Sequence, residues 1–410
     1  MGGKNVGLRR TKFVQYPNSL HLTTNYCQMR ALLKVSASLL LLTGTVVLMG
    51  FRSPKKTPPP TPPKIQAAIL LDVSGSMQGL IEQAKAQLWN MMNVMGRVHC
   101  TDGTPQIEVA LYEYGRRTNK QADGFVRRVS SFTSDLDSLS KMLFGLTIDG
   151  SEEYCTQAIY QSLKGLSWDT SRASYKVIFI AGNEDFMQGT LPYEQACKEA
   201  KQMGVIVNTI YCGPRNKGID ERWDLGNQCG NGAYTNINHN LKLEDDPTPF
   251  DTALITLNTQ FNATYLPYGE RGARAYAQQA EVDKLNFGVG RKVAAHRVLV
   301  KSQSRLYENS QWDLVDALDD DSTLLSRLDR STLPDTLRGK TTTQLQTIVR
   351  AKKMQREQIQ QQIAQVQQQR DAYLVQERLK QASRTELATL ETEIERIIRD
   401  QVKRYNMTVQ

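Results

Sequence analysis

The chain has 410 residues, 40% hydrophobic and 23% charged, long enough to bury one sizeable α/β core plus a further region of domain size. Its net charge of +9 would suit a nucleic-acid partner, but residues 1–64 hold ten Lys or Arg and no Asp or Glu, leaving 41 basic against 42 acidic residues in the body. A near-neutral body argues against nucleic acid, and four scattered histidines with no Cys-x-x-Cys pair argue against a zinc site.

The basic segment surrounds an uncharged apolar run, Val35 to Phe51, preceded by Arg30 and Lys34. That is the layout of an export signal or an inner-membrane anchor, expected over residues 1–52. Met29 directly before Arg30 offers an alternative start, with residues 1–28 then an extension. Residues 53–64, SPKKTPPPTPPK, read as a stiff spacer, because proline lacks the amide donor and favours extended geometry. An exported body would lie in the periplasm, where disulfides form. Five cysteines follow the signal, and Cys212 with Cys229 is the expected bridge.

From Ile65 the pattern alternates between strand-length apolar runs and helix-period segments. Strands are predicted at Ile65–Leu71, Ile107–Tyr114, Lys176–Ala181 and Val205–Tyr211, with an antiparallel edge strand within Phe125–Phe132. Helices are predicted at Leu80–Met95, Leu136–Leu146, Cys155–Leu166 and Tyr193–Met203. The alternation implies an α/β fold with a doubly wound, mostly parallel sheet over residues 65–240. Beyond the punctuated stretch Leu243–Phe250 the chain turns helical, at Asp251–Tyr265, Ala273–Asn286, Lys292–Glu308 and Trp312–Leu318, making an all-α region over 250–335.

Residues 341–405 contain no Gly or Pro and place apolar residues at Ile359, Ile363, Val366 and Tyr373, then Leu387, Leu390, Ile394, Ile397 and Val402. These spacings form an a/d seam interrupted at Arg370. Ser383 and Glu386 match a capping box, so the seam suits a helical hairpin turning near Gln381–Ser383; one continuous coiled coil is the alternative.

The chemistry concentrates in LLDVSGSMQG, Leu70–Gly79, where a buried strand runs into Asp72, Ser74 and Ser76. One carboxylate and two alternate hydroxyls, with Gly75 allowing the chain to turn, supply oxygens that suit a hard divalent cation: Mg²⁺ first, with Mn²⁺ and Ca²⁺ as alternatives. Ligands of doubly wound sheets collect at the carboxyl ends of the strands, where Asp72 falls. The same residue types also suit a plain cap of the helix that follows.

Asp72, Val73, Ser74, Gly75, Ser76 resembles the Asp-x-Ser-x-Ser metal-ion-dependent adhesion site of von Willebrand factor type A domains. The family's threonine, five residues before an alanine, corresponds to Glu153 counting back from Ala158, with Ser151, Glu152 and Thr156 nearby. The family's later aspartate corresponds to Gly182 in VIFIAGNEDF, followed by Asn183, Glu184 and Asp185. Glu153 and Glu184 are expected to restore the missing negative charge, giving the ligand set Asp72, Ser74, Ser76, Glu153 and Glu184. The segments EEYCTQAI, FIAGNE, ACKEAKQMGVIVNTIYCG and GNGAY resemble a bacterial cell-envelope subgroup of these domains.

The resemblance implies a metal-dependent protein-binding surface that takes an acidic group from a partner. The competing expectation is a metal-free envelope scaffold whose partners dock on the C-terminal helices. No Gly-x-Ser-x-Gly and no His-Glu-x-x-His occurs. Arg338–Thr341 ends like a phosphate loop, but Pro334 stands in place of its first glycine and no strand precedes it. The sequence therefore reads as a binding protein, not an enzyme.

Overall fold

The computed structural model describes residues 62–101, 103–150, 152–226, 228–238, 248–381 and 390–410. The apolar N-terminal segment, the spacer up to residue 61, Ser151 and the expected turn with Ser383 and Glu386 lie outside the described residues. Among the described residues no helix is long and apolar enough to cross a membrane.

The first part alternates strand and helix: β1 (Lys64–Asp72), α1 (Gln78–Gly96), β2 (Val98–Cys100), β3 (Gln106–Tyr114), β4 (Arg127–Thr133), α2 (Leu136–Phe144), α3 (Cys155–Gly165), β5 (Tyr175–Gly182), α4 (Tyr193–Met203), β6 (Ile206–Cys212), α5 (Arg215–Asp220), α6 (Trp223–Gly226) and β7 (Tyr234–Ile237). Six of these strands form one sheet in the order β4-β3-β1-β5-β6-β7. Only β4 runs antiparallel, at the edge beside β3. Period-two alternation splits the interior into two layers. Ala67, Leu71, Val109, Val177 and Ile210 face α1 and α2, while Ala68, Leu70, Ala110, Ile178 and Val207 face α3 and α4. The chain order reverses beside β1, and that position places Asp72 at the crevice of a doubly wound sheet.

The helical part comprises α7 (Asp251–Asn262), α8 (Gly269–Val289), α9 (Arg291–Lys301), α10 (Leu314–Asp320), α11 (Leu324–Arg327), α12 (Asp335–Arg338), α13 (Thr342–Gln381) and α14 (Leu390–Val402), then β8 (Met407–Val409). The apolar positions of the C-terminal seam serve two different interiors. Ile359 and Ile363 of α13 pack with Leu254, Phe261, Ala295 and Leu299 of α7 and α9. Leu390, Ile394 and Ile397 of α14 join the α1 side of the sheet. Arg370, the polar break in the seam, is buried and its Nε donates to Asp251 at 2.7 Å.

The chain's end returns to the sheet part. Gln401 of α14 accepts from the Tyr175 hydroxyl at 2.8 Å, and β8 pairs antiparallel with β2, Val98 opposite Val409. Strands of three residues carry too little pattern to be read from sequence, and neither β2 nor β8 was expected.

The expected Cys212–Cys229 bridge is corrected to Cys197–Cys229, with Cα atoms 4.6 Å apart. The reason is the sheet's alternation: Cys212 points into the α1 layer, whereas Cys197 and Cys229 lie in the α3/α4 layer. Cys212 is therefore a buried free thiol on the far face of the sheet.

Candidate metal centre

The loop after β1 is held by its backbone. Val73 N–H donates to Tyr114 O at 3.0 Å, Asp149 N–H to Val73 O at 2.8 Å, and Gly75 N–H to Gly150 O at 3.3 Å. The loop is thus clamped between the end of β3 and the segment leading to α3. Asp72 is fully buried, and its Oδ1 accepts the Ser74 N–H at 2.7 Å, a turn that Asp forms readily. Its Oδ2 is buried with no hydrogen-bond partner.

The Ser74 and Ser76 hydroxyl oxygens lie 3.4 Å apart, Ser74 buried and Ser76 exposed, and Ser76 Oγ donates to Asn183 Oδ1 at 3.3 Å. No side chain caps α1, whose first turn follows Met77, so capping does not explain Asp72, Ser74 and Ser76.

Glu153 enters the same space. Its backbone N–H donates to Gln188 Oε1 at 3.2 Å, and its side chain is 3% exposed with Oε2 lacking any hydrogen-bond partner. Two glycines make room. A Cβ on Gly115 would lie 3.0 Å from Asp72 Oδ1 and 3.2 Å from Glu153 Cγ, and Gly115 takes a φ of +88°. Gly150, at φ +132°, would drive a Cβ into the Gly115 carbonyl.

The electrostatics follow from two acids buried together. Burial, and then the neighbouring Glu153 carboxylate, hold Asp72 well above the usual carboxylate range. Glu153 is pushed up to about 7 by burial; a hydrogen bond from Ser74 opposes this, and the charges of Glu184 and Glu152 add to it. A pair of acids held this way has its charged form stabilised by a cation.

Of the expected ligand set, Asp72, Ser74, Ser76 and Glu153 come together. Glu184 does not join them as a third acid among the described residues: its charge acts on Glu153, and its backbone carbonyl accepts from Trp223 Nε1 at 2.7 Å. Among the described residues no three His, Cys, Asp or Glu side chains converge as metal ligands, so the cluster is two carboxylates and two hydroxyls.

The nearby alternatives are otherwise engaged. The Thr156 hydroxyl donates to Phe186 O at 3.3 Å, Glu152 is exposed, and Asp185 Oδ1 accepts from Met187 N–H at 2.8 Å. Gly182 has a steric reason, since a Cβ there would overlap the Tyr114 hydroxyl and stand 3.2 Å from Asp72 Oδ2. Asn183 and Gln188 were not assigned roles from sequence, and only their place in the loops beside Gly182 could have suggested them.

All donors in the cluster are hard oxygens, and two of them are buried carboxylate oxygens without partners, so these residues fit a hard divalent cation. Strand order and the single antiparallel edge strand give residues 64–237 a doubly wound α/β fold with the Asp72 loop at its crevice, the fold that the resemblance to von Willebrand factor type A domains implies. No protein-family model matches the sequence, and no curated protein matches it significantly.

Solved structures that are similar include an aerotolerance-related membrane protein from Bacteroides fragilis, at 17% identity over 43% of this chain and 93% of that one, TM-score 0.30. Another is proximal thread matrix protein 1 from the mussel byssus with a zinc-occupied metal-ion-dependent adhesion site, at 13% identity over 43% of this chain and 42% of that one, TM-score 0.31. A third is the SpRpn10 von Willebrand factor type A domain, at 14% identity over 42% and 88%, TM-score 0.30.

Proposed function

We propose that the chain is an adhesive module: a divalent cation held by Asp72, Ser74, Ser76 and Glu153 takes an acidic side chain of a protein partner as a further ligand. The observation that carries this reading is the pair of buried, partnerless carboxylate oxygens, Asp72 Oδ2 and Glu153 Oε2, beside the exposed Ser76 hydroxyl. Burying unpaired acids is costly, so such a pair is kept where a cation completes it. The cation would supply a positive centre at the mouth of the crevice; the protein's part is to hold the oxygens and leave the Ser76 side open. Mg²⁺ suits a small all-oxygen site with carboxylates, and Mn²⁺ or Ca²⁺ would compete.

The reading includes location. The Cys197–Cys229 disulfide suits an oxidising compartment, and the apolar run at 35–51 would deliver the body to the periplasm, cleaved or anchored in the inner membrane. The chain acts here by binding, with no catalytic residue assigned.

The test is recovery of cross-linked partners by the full chain in Mg²⁺, in chelator, and with Asp72→Ala. Recovery lost under the second and third conditions supports the module. Recovery unchanged in both overturns it and favours a scaffold whose partners dock on α13 and α14.

A further inference from the structure

A polar cavity of about 160 Å³ lies where the sheet part meets the helices, between α1, α9, α13 and α14. Its walls carry Asn90 of α1, Arg97 just beyond it, His296 of α9, Arg370 of α13 and Arg399 of α14. Asn90 and Arg370 are 6% and 3% exposed. Asn90 Nδ2, Arg97 Nε and Arg370 Nη2 are buried without a hydrogen-bond partner, and all three are donors.

The acids around the cavity are already committed. Asp251 accepts from Arg370 Nε at 2.7 Å, Asp371 pairs with Arg97 Nη1 at 3.4 Å, Glu391 with Lys292 at 2.5 Å, and Glu395 with Arg399 at 3.0 Å. What remains unfilled is donor capacity. His296 agrees with this: burial, then the charges of Arg370, Lys292 and Arg97, push its pKa well below the usual value, so the ring stays neutral among cations.

We infer that this cavity binds a small tetrahedral oxyanion of phosphate size, held by Arg97, Arg370 and Asn90. The volume holds such an ion with accompanying water, and an acceptor on every side is what three orphaned donors lack. Bound there, the anion ties the end of α1 to α13, joining the sheet part to the long helix.

The test uses the full chain in chelator, so that the Asp72 loop takes no part, and follows thermal unfolding in phosphate, sulfate or chloride at matched ionic strength. Phosphate and sulfate in the tens of millimolar are expected to raise Tm by a few degrees above chloride. Arg97→Gln and Asn90→Leu should each weaken the effect by about tenfold in Kd, while Asp72→Ala leaves it intact.

Arg97 is partly exposed and Asn90→Leu keeps shape, so at least one of the two variants is expected to fold; melting in chloride checks this. No gain over chloride, meaning a cavity filled by water alone, overturns the inference. So does an equal gain in a folded variant, or stabilisation by phosphatidylglycerol vesicles and not by free phosphate.

Discussion

Two groups of buried acids divide the molecule. In the helical part, burial opposes the charge of Asp283, yet Lys301 and Arg297 overcome it and hold the carboxylate well below its usual range. Arg297 pairs with Asp283 at 2.5 Å and with Asp137 of α2 at 2.6 Å, and lies 4.6 Å over the Trp89 ring of α1. Lys301 adds a contact to Asp283 at 2.9 Å and donates to Asn258 and Asn262 at 3.0 and 2.7 Å. At the end of β1 the burial is similar and the cations are missing, so the Asp72 and Glu153 carboxyls shift upward instead. The same burial thus ends in a lowered carboxylate where cations pack against it and in raised ones where none does, and the proposed cation site is of the second kind.

Removing a cation from the structural network should convert it into the other kind. Arg297→Leu leaves Asp137 and Asp283 with less compensation in a buried junction, and a loss of about 3–5 kcal/mol is expected in chemical denaturation. A loss below about 1 kcal/mol would show that the ion pairs do not hold the two parts together.

The second way to sharpen the contrast is pH. In metal-free protein Glu153 has a folded pKa of about 7 against an ordinary 4.5, so its contribution is fully present below pH 4.5 and lost as pH rises through 7. Relative to Glu153→Gln, the metal-free wild type should lose up to about 3 kcal/mol between pH 4.5 and 7.5, measured by urea denaturation in chelator. A flat difference would mean that Glu153 is not held as a buried acid. Saturating Mg²⁺ should remove the slope, because the cation displaces the proton.

A smaller effect tests the space beside Asp72. Gly182→Ala should cost about 1–3 kcal/mol, since its methyl must displace the Tyr114 hydroxyl, which donates to Ala181 O at 2.8 Å. No cost would show that the Tyr114 hydroxyl leaves room for a side chain at position 182.

How much of this was legible in the sequence depends on range. The strand–loop–helix around Asp72 is local, and both its period and its residue types announce it. Glu153 could be reached by counting back from Ala158, because Tyr154 alone separates it from the start of α3, the helix that carries Ala158. Glu184 could not be placed, since its position depends on the turn after β5, where its backbone carbonyl accepts from Trp223 Nε1. The partner of Cys229 depended on which side of the sheet each cysteine lies, which separation along the chain does not reveal.

Arg370 read as a break in an apolar seam because its partner, Asp251, lies 119 residues away. The Asp137–Arg297 contact spans 160 residues and left no mark in any local pattern. Local chemistry was readable, and long-range charge pairing was not.

The central claim is that Asp72 and Glu153 are acids awaiting a cation, and the most direct measurement is a Mg²⁺ titration of the purified full chain followed by thermal unfolding. At a hundredfold excess over Kd, binding should add about 2.7 kcal/mol to wild-type stability and nothing to Asp72→Ala, whose metal-free form should be no less stable than wild type. An unchanged melting temperature in Mg²⁺, Mn²⁺ and Ca²⁺, or an equal rise in Asp72→Ala, would contradict it.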